Sequence, residues 1–426
     1  MREAFTNAKT HCMLVPNKLH KRKIITFAPM YCTVRLKKGK DKAVKQLHPW
    51  VFSGAIEQIN GKPKNGDIVI LNDYQNHFLA YGFFNDQSRV AVRLLEWNTD
   101  NEVSEHWWRT RIQKAIKSRE VLFQDTDTNT YRLIFSEADF LPGLIVDRFA
   151  DFLSVQILSS GMDHIKPVIL DELNILLKPK GIFDRSDASA RAHEGMEESS
   201  GTILSGVEPP TFISVHENGI LYQVNIADGQ KSGFYCDQRN NRKRVAHYAK
   251  DKRVLDCFCY SGGFTLNAAK NGARELTSVD SSALAIETLK QNMQLNGFDQ
   301  MSHRYFQSDV NKQLRAFRES GEKFDLIILD PPKYAPSRSS LTKASRAYKD
   351  LNRQALLLLE SGGLLATFSC SGAVDIALFK QILAWAALDA GKHIQFIDQF
   401  SQPVDHPIRS SFPEGEYLKG LLCRVV

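Results

Sequence analysis

Apolar positions change their spacing along the chain, and each change marks a different kind of element. Between Thr33 and about Trp97 they fall in short β-rich stretches separated by turn signals: Val34-Arg-Leu, Trp50-Val-Phe, Asp67-Ile-Val-Ile-Leu, Phe78-Leu-Ala-Tyr-Gly-Phe-Phe and Val90-Ala-Val-Arg-Leu-Leu. That rhythm predicts a small β-barrel-like module. From about Trp107 to Gln124 the period becomes helical, with a basic outer face. Next, Tyr131 to Phe149 reads as a hairpin turned at Leu141-Pro-Gly, followed by strand Phe152–Leu158 and a helix near His164–Leu177. Arg185 to Pro210, rich in Ser, Gly and acid, reads as an irregular connector. After about Leu221, continuously apolar strands alternate with helices: Val254-Leu-Asp, Leu276-Thr-Ser-Val-Asp, Phe324-Asp-Leu-Ile-Ile-Leu-Asp and Gly363-Leu-Leu-Ala-Thr-Phe-Ser-Cys. Strands with no polar face need cover on both sides, so this region predicts a doubly wound parallel α/β sheet.

Three folded regions follow: a β-barrel-like module over 31–108, a small α+β domain over 109–220 and the doubly wound domain over 221–426. Residues 1–30 predict a disordered or over-called extension. With 55 Lys/Arg against 48 Asp/Glu the net charge is +7, which favours a polyanionic partner without requiring one. Six of the basic residues (Arg2, Lys9, Lys18, Lys21, Arg22, Lys23) face Glu3 alone within 1–29, so the folded remainder is only mildly basic. No apolar run is long enough to span a bilayer. Seven cysteines, none in a C-x-x-C pair, point to reduced thiols, a cytoplasmic location and no metal centre.

In a doubly wound sheet, ligands sit beyond the carboxyl ends of the strands. The first strand runs into Asp256-Cys-Phe-Cys-Tyr-Ser-Gly-Gly-Phe, where Gly262 and Gly263 let the backbone turn tightly against a ligand. The second ends at Asp280, 17 residues beyond Gly263, a suitable place for an acid that binds ribose hydroxyls. Asp309 follows the third strand, where it could accept from an adenine amino group. A dehydrogenase would carry G-x-G-x-x-G, and no glycine follows Gly263 at that spacing. The order of the glycine turn, the second-strand acid and the later Asp330-Pro-Pro resembles class I methyltransferases over roughly 221–426, which implies S-adenosylmethionine as methyl donor.

Asp330-Pro-Pro-Lys-Tyr closes the fourth strand, and its prolines stiffen a loop that would present a carboxylate to a planar nucleobase. The fifth strand ends at Thr367-Phe-Ser-Cys-Ser-Gly, which puts Cys370 on the same rim. Cytosine C5 is a poor nucleophile until a thiolate adds at C6, so Cys370 is the candidate nucleophile and Asp330 the group that hydrogen-bonds or protonates N3. In the amino-terminal module, Lys37, Lys38 and Lys40 stand near Trp50 of His48-Pro-Trp-Val-Phe. That pairing suits phosphate contact and base stacking on RNA, although from the pattern alone a solvated charge run beside core aromatics fits better.

His48-Pro-Trp-Val-Phe-Ser-Gly, Asp184-Arg-Ser-Asp, Gly233-Phe-Tyr-Cys-Asp-Gln-Arg, Cys259-Tyr-Ser-Gly-Gly-Phe, Asp330-Pro-Pro-Lys, Phe368-Ser-Cys-Ser and Pro413-Glu-Gly-Glu-Tyr-Leu-Lys-Gly occur in this order. Over residues 31–426 the chain thereby resembles bacterial large-subunit rRNA cytosine-C5 methyltransferases with an amino-terminal PUA domain. The resemblance implies 23S rRNA as partner, a PUA RNA-binding module, a middle domain that helps hold RNA, Cys370 as nucleophile, and Gln238 and Arg239 flanking the cofactor pocket. Arg239 is equally compatible with a salt bridge. Other RNA cytosine-C5 enzymes carry a second cysteine in the fourth-strand loop, where this chain has Pro331-Pro-Lys, and the base that removes the C5 proton is left unassigned. Assembly as a homodimer stays open. Two other functions compete: methylation of a base nitrogen, which needs no cysteine, and a non-catalytic RNA-binding assembly factor.

Overall fold

The structure, a computed structural model, describes residues 31–124, 126–227, 229, 233–335 and 338–426. The extension expected over 1–30 lies outside the described residues. Cys32–Val426 forms one unit built from three sheets and a hairpin.

The first sheet contains β1 (Cys32–Leu36), β2 (Trp50–Phe52), β3 (Ile56–Asn60), β4 (Ile68–Asn72), β5 (Phe78–Phe84) and β6 (Val90–Glu96), in the order β2-β6-β5-β4-β1-β3. Its neighbours run antiparallel except β1 and β4. A short helix, α1 (Lys42–Lys45), drops Val44 into the core with Val34, Leu71 and Val92. Five of these strands are legible as apolar stretches. β3 is not, because Glu57, Gln58, Ile59 and Asn60 are all exposed and leave no apolar alternation.

Helix α2 (Glu105–Phe123) is N-capped by Ser104, whose side chain accepts the Trp107 N–H. The middle sheet has the order β11-β10-β9-β8-β7, from β7 (Thr130–Phe135), β8 (Leu144–Phe149), β9 (Phe152–Ile157), β10 (Gly181–Asp184) and β11 (Ile203–Gly206). Its helices are α3 (Ser160–His164), α4 (Lys166–Leu177) and α5 (Ala188–His193). The stretch expected to be an irregular connector thus contains a helical turn and an edge strand.

The hairpin β12 (Ile213–Glu217) and β13 (Ile220–Val224) straddles the border expected at 220/221. Ile213 and Val215 share a core with Val254 and Leu266 of the doubly wound region, so that packing unit includes the first strand of the hairpin. The texture change at Leu221 registers the second strand of a pair whose first strand belongs to it equally.

The last sheet has the order β16-β15-β14-β17-β18-β20-β19. Its strands are β14 (Arg253–Cys257), β15 (Glu275–Asp280), β16 (His303–Gln307), β17 (Phe324–Leu329), β18 (Leu359–Ser369), β19 (Ile394–Ser401) and β20 (Lys419–Val425). The first five are parallel; β20 is inserted antiparallel between β18 and β19. The helices are α6 (Arg239–Ala246), α7 (Gly263–Lys270), α8 (Ala283–Leu295), α9 (Val310–Glu319), α10 (Leu341–Leu357) and α11 (Ile376–Asp389). Alternate residues of β17 serve opposite faces: Leu326 and Ile328 pack with Leu266 and Leu289, Ile327 and Leu329 with Leu314 and Phe379. Truncating such a side chain to Ala costs about 2–5 kcal/mol. The chain order reverses beside β14, and there the carboxyl ends of β14, β15, β17 and β18 open onto one cleft.

Candidate active site

The turn after β14 is forced into an uncommon backbone shape. Phe258, Tyr260 and Gly262 all have positive φ, at 63°, 46° and 90°. The two glycines serve different ends. At Gly262 a Cβ would lie 2.2 Å from Leu289 Cδ1, so this residue lets the turn pack on α8. At Gly263 a Cβ would lie 2.8 Å from Arg242 Cδ, and this residue lines the cleft. Asp280 fastens the turn to β15: its carboxylate accepts the Tyr260 N–H at 3.0 Å and the Ser282 N–H at 2.9 Å while still lining the cleft.

Asp256 and Asp309 do not line the cleft. Asp256 is buried and accepts the Thr265 N–H (3.0 Å) and hydroxyl (2.7 Å), and the Thr265 hydroxyl continues to Ser278 and His303. Burial above all, with added repulsion from Asp330 and Asp280, pushes its carboxyl up to about 7 against the pull of the Thr265 bonds. Asp309 caps α9 by accepting the Lys312 N–H at 2.9 Å. Gly262 does not line the cleft either.

The cleft encloses about 460 Å³ and brings Gln238, Gly263, Asp280, Asp330 and Cys370 together. The Gln238 amide donates to Asp330 Oδ1 at 3.0 Å, and its own carbonyl accepts from Asn241 at 2.6 Å, so the Asp330 carboxylate is oriented by a locked partner. Cys370, half-buried, follows β18. Its loop is held from both sides. The Ser371 hydroxyl accepts the Ala335 N–H at 3.1 Å, and the buried Lys419 ammonium donates to the Ser371 and Val374 carbonyls at 2.8 and 2.7 Å. Burial pushes the Lys419 ammonium down, and negative charge at the nearby Cys370, as thiolate, opposes that shift.

Four cleft residues went unread in the sequence: Tyr235, Asp237, Tyr260 and Tyr417. Burial pushes the Tyr235 phenol up, helped by Asp330, Tyr260, Asp237 and Cys370, and its ring meets that of Tyr260 edge-on at 5.4 Å. The Tyr417 hydroxyl donates to Asp237 Oδ2 at 2.8 Å. Their signal was present in the segments Gly233-Phe-Tyr-Cys-Asp-Gln-Arg, Cys259-Tyr-Ser-Gly-Gly-Phe and Pro413-Glu-Gly-Glu-Tyr, but Asp237 and Tyr417 lie 180 residues apart along the chain.

Arg239 does not line the cleft. Its guanidinium forms a buried pair with Asp405 and lies over the Phe123 ring, tying α6 to the 401–409 loop and to α2. The reason is proximity in space to a carboxylate far along the chain. The amino-terminal candidates also sit away from the cleft. Lys37 donates to the Gly54 carbonyl, Lys38 lies over Tyr74, and Lys40 is exposed. Trp50 turns inward: its indole N–H donates to Glu137 at 2.8 Å and its ring meets Phe412 edge-on at 4.7 Å, so it joins the first sheet to the other two regions. Among the described residues, no cluster of three or more His, Cys, Asp or Glu is placed to hold a metal, and no helix is long and apolar enough to cross a membrane.

A family model for an S-adenosylmethionine-dependent methyltransferase matches residues 185–424, and one for a PUA-like domain matches residues 34–97. The ribosomal RNA large subunit methyltransferase I of Aliivibrio fischeri strain MJ11 is 42% identical over 93% of this chain and 100% of its own length. That of Photobacterium profundum is 43% identical over the same shares, and that of Escherichia coli strain SMS-3-5 is 41% identical over 92% of this chain and 98% of its own. A solved structure of SMU.776, described as a methyltransferase complexed with SAH, superposes with a TM-score of 0.81 at 22% identity, covering 92% of this chain and all of that one. At that identity the likeness speaks for the fold, and it extends over all three regions.

Proposed function

The chain belongs to the S-adenosylmethionine-dependent methyltransferases, in the family of the ribosomal RNA large subunit methyltransferases I, and from that premise we propose that it methylates C5 of a cytosine in 23S ribosomal RNA, in the cytoplasm. The observation that carries the reading is a thiol, Cys370, sharing one cleft with a carboxylate, Asp330, that is oriented by Gln238.

Asp280 and the turn through Gly263 would hold the donor, with Asp256 and Gly262 shaping that turn from behind. When bound, S-adenosylmethionine supplies the methyl group that C5 takes up. Cys370 as thiolate would add to C6, breaking the C5=C6 double bond and making C5 nucleophilic. Asp330, acting as the acid, would donate its proton toward N3, where negative charge collects, and take it back as C5 attacks the methyl group. After transfer C5 still carries its proton, and we assign its removal to Asp237. Of the three carboxylates that line the cleft among the described residues, Asp280 bonds the donor turn and Asp330 is assigned to the pyrimidine edge, which leaves Asp237, positioned by Tyr417. The electron pair of the C5–H bond then reforms C5=C6 and expels the Cys370 thiolate. The lysines of the PUA-like domain, Lys37, Lys38 and Lys40, would contact RNA phosphates outside the cleft.

Base-nitrogen methylation is the reading to separate from this one. Nuclease digestion and mass spectrometry of unmodified 23S rRNA, treated with the protein and donor, would yield 5-methylcytidine. N4-methylcytidine or a methylated purine would overturn the assignment.

A further inference from the structure

A second cavity, of about 540 Å³, lies behind the reaction cleft and shares a wall with it: Phe234, Tyr235, Asp237 and Tyr417 line both. Its other side comes from the middle domain, through β7, β8, β9 and the segment after β10. No step of the methyl transfer uses this space.

Its chemistry points to a nucleobase and away from a phosphate. The two guanidiniums that line it already have partners, and Arg132 also lies over one face of the Phe135 ring. Arg132 makes a two-pronged pair with Asp147 at 2.8 and 3.0 Å, and Arg185 donates to the carbonyls of Ala227 and Gly229. Asp187, Glu198 and Asp237 add carboxylates to the lining, which repel a phosphate and accept from amino groups. What remains is an aromatic wall of Phe135 and Tyr235 with the Gln156 amide and the Ser200 hydroxyl. Aromatic faces with hydrogen-bonding groups at the edge are how proteins hold an unstacked base of single-stranded RNA. The volume lies within the roughly 300–1,000 Å³ of small-ligand sites.

An enzyme that modifies a base within RNA must take it out of the stack, and the backbone then carries the neighbouring nucleotide to the lip of the reaction site. Resting on the cytosine-methylation reading above, we propose that the second cavity receives the nucleobase adjacent to the target cytosine, so that Tyr235 and Tyr417 separate consecutive bases and the middle domain reads sequence next to the modified position.

The test uses a short 23S rRNA fragment that the full chain methylates, prepared intact and with an abasic nucleotide on either side of the target. The expected result is a loss of kcat/KM of about 10-fold or more, by the worth of one stacked base, for the abasic nucleotide on one side only. Ser200→Trp, which fills the cavity from its rim, and Gln156→Ala should lower kcat/KM on intact RNA toward the abasic value and leave the abasic RNA unaffected. Equal rates on all three RNAs, or variants that slow intact and abasic RNA alike, would overturn the proposal while leaving cytosine methylation standing. Failure to form 5-methylcytidine on intact RNA would instead strike the reading beneath it.

Discussion

The two halves of the cleft are built in opposite ways. The half to which we assign the donor is nearly local: Gly263 and Asp280 line it, Asp256 and Gly262 support it from the same β-turn-α-β stretch, and the carboxylates bond to Thr265, Tyr260 and Ser282 close by in sequence. The acceptor half is assembled from four segments, 235–238, 330–333, 370 and 417, joined by single contacts such as Gln238 to Asp330 and Tyr417 to Asp237. A universal donor can be held by one inherited motif, whereas a particular acceptor needs groups brought from several directions. The donor half should therefore respond to substitution through stability and binding, the acceptor half through chemistry.

The sharpest break between them is expected at Asp237. Asp237→Asn should lower turnover by about 10²–10⁴-fold, the usual worth of a general base, and should make a methylated protein–RNA adduct accumulate on ordinary cytosine, because C5 cannot lose its proton. Denaturing gel electrophoresis with labelled RNA reads this directly. Loss of activity with no adduct would remove Asp237 from the role.

A smaller effect belongs to the donor half. Asp256 sits at about 7 in the folded chain against an ordinary 3.8, so between those values the folded state holds a proton that the unfolded state has released. Stability must then fall as pH rises from about 4 to about 7, by at most about 1.4 kcal/mol per unit from this group. Denaturant unfolding of Asp256→Asn should show that share of the slope removed, and an unchanged slope would place the origin in another group.

The smallest change concerns the joint around Trp50. Trp50→Phe deletes the donor to Glu137 and should cost about 1–3 kcal/mol of stability. RNA affinity, measured at fixed salt, should stay within about two-fold. A large loss of affinity without destabilisation would return Trp50 to a base-stacking role.

The same contrast explains what the sequence could convey. The strand-end positions of Asp256, Asp280, Asp330 and Cys370 follow from apolar runs and turn residues, so the rim of the sheet was readable. Arg239 was not, since its partner Asp405 stands 166 residues away and nothing local distinguishes a guanidinium facing a ligand from one facing a buried carboxylate. Trp50 lay beside lysines in sequence but beside Glu137 and Phe412 in space. β3 escaped because an exposed strand has no apolar period, and the hairpin β12–β13 was divided because its two strands belong to one core only through their pairing.

The central claim, that the acceptor half acts through a covalent bond from Cys370 to the base, is tested most directly with RNA carrying 5-fluorocytosine at the target. Fluorine cannot leave as a proton does, so the adduct formed after methyl transfer persists. The full chain with donor should yield a protein–RNA species that survives denaturation, with the RNA mapped by mass spectrometry to Cys370, and Cys370→Ala should yield none and lose turnover by 10⁴-fold or more, on the order expected for removal of a nucleophile. Turnover undiminished in Cys370→Ala would contradict the account.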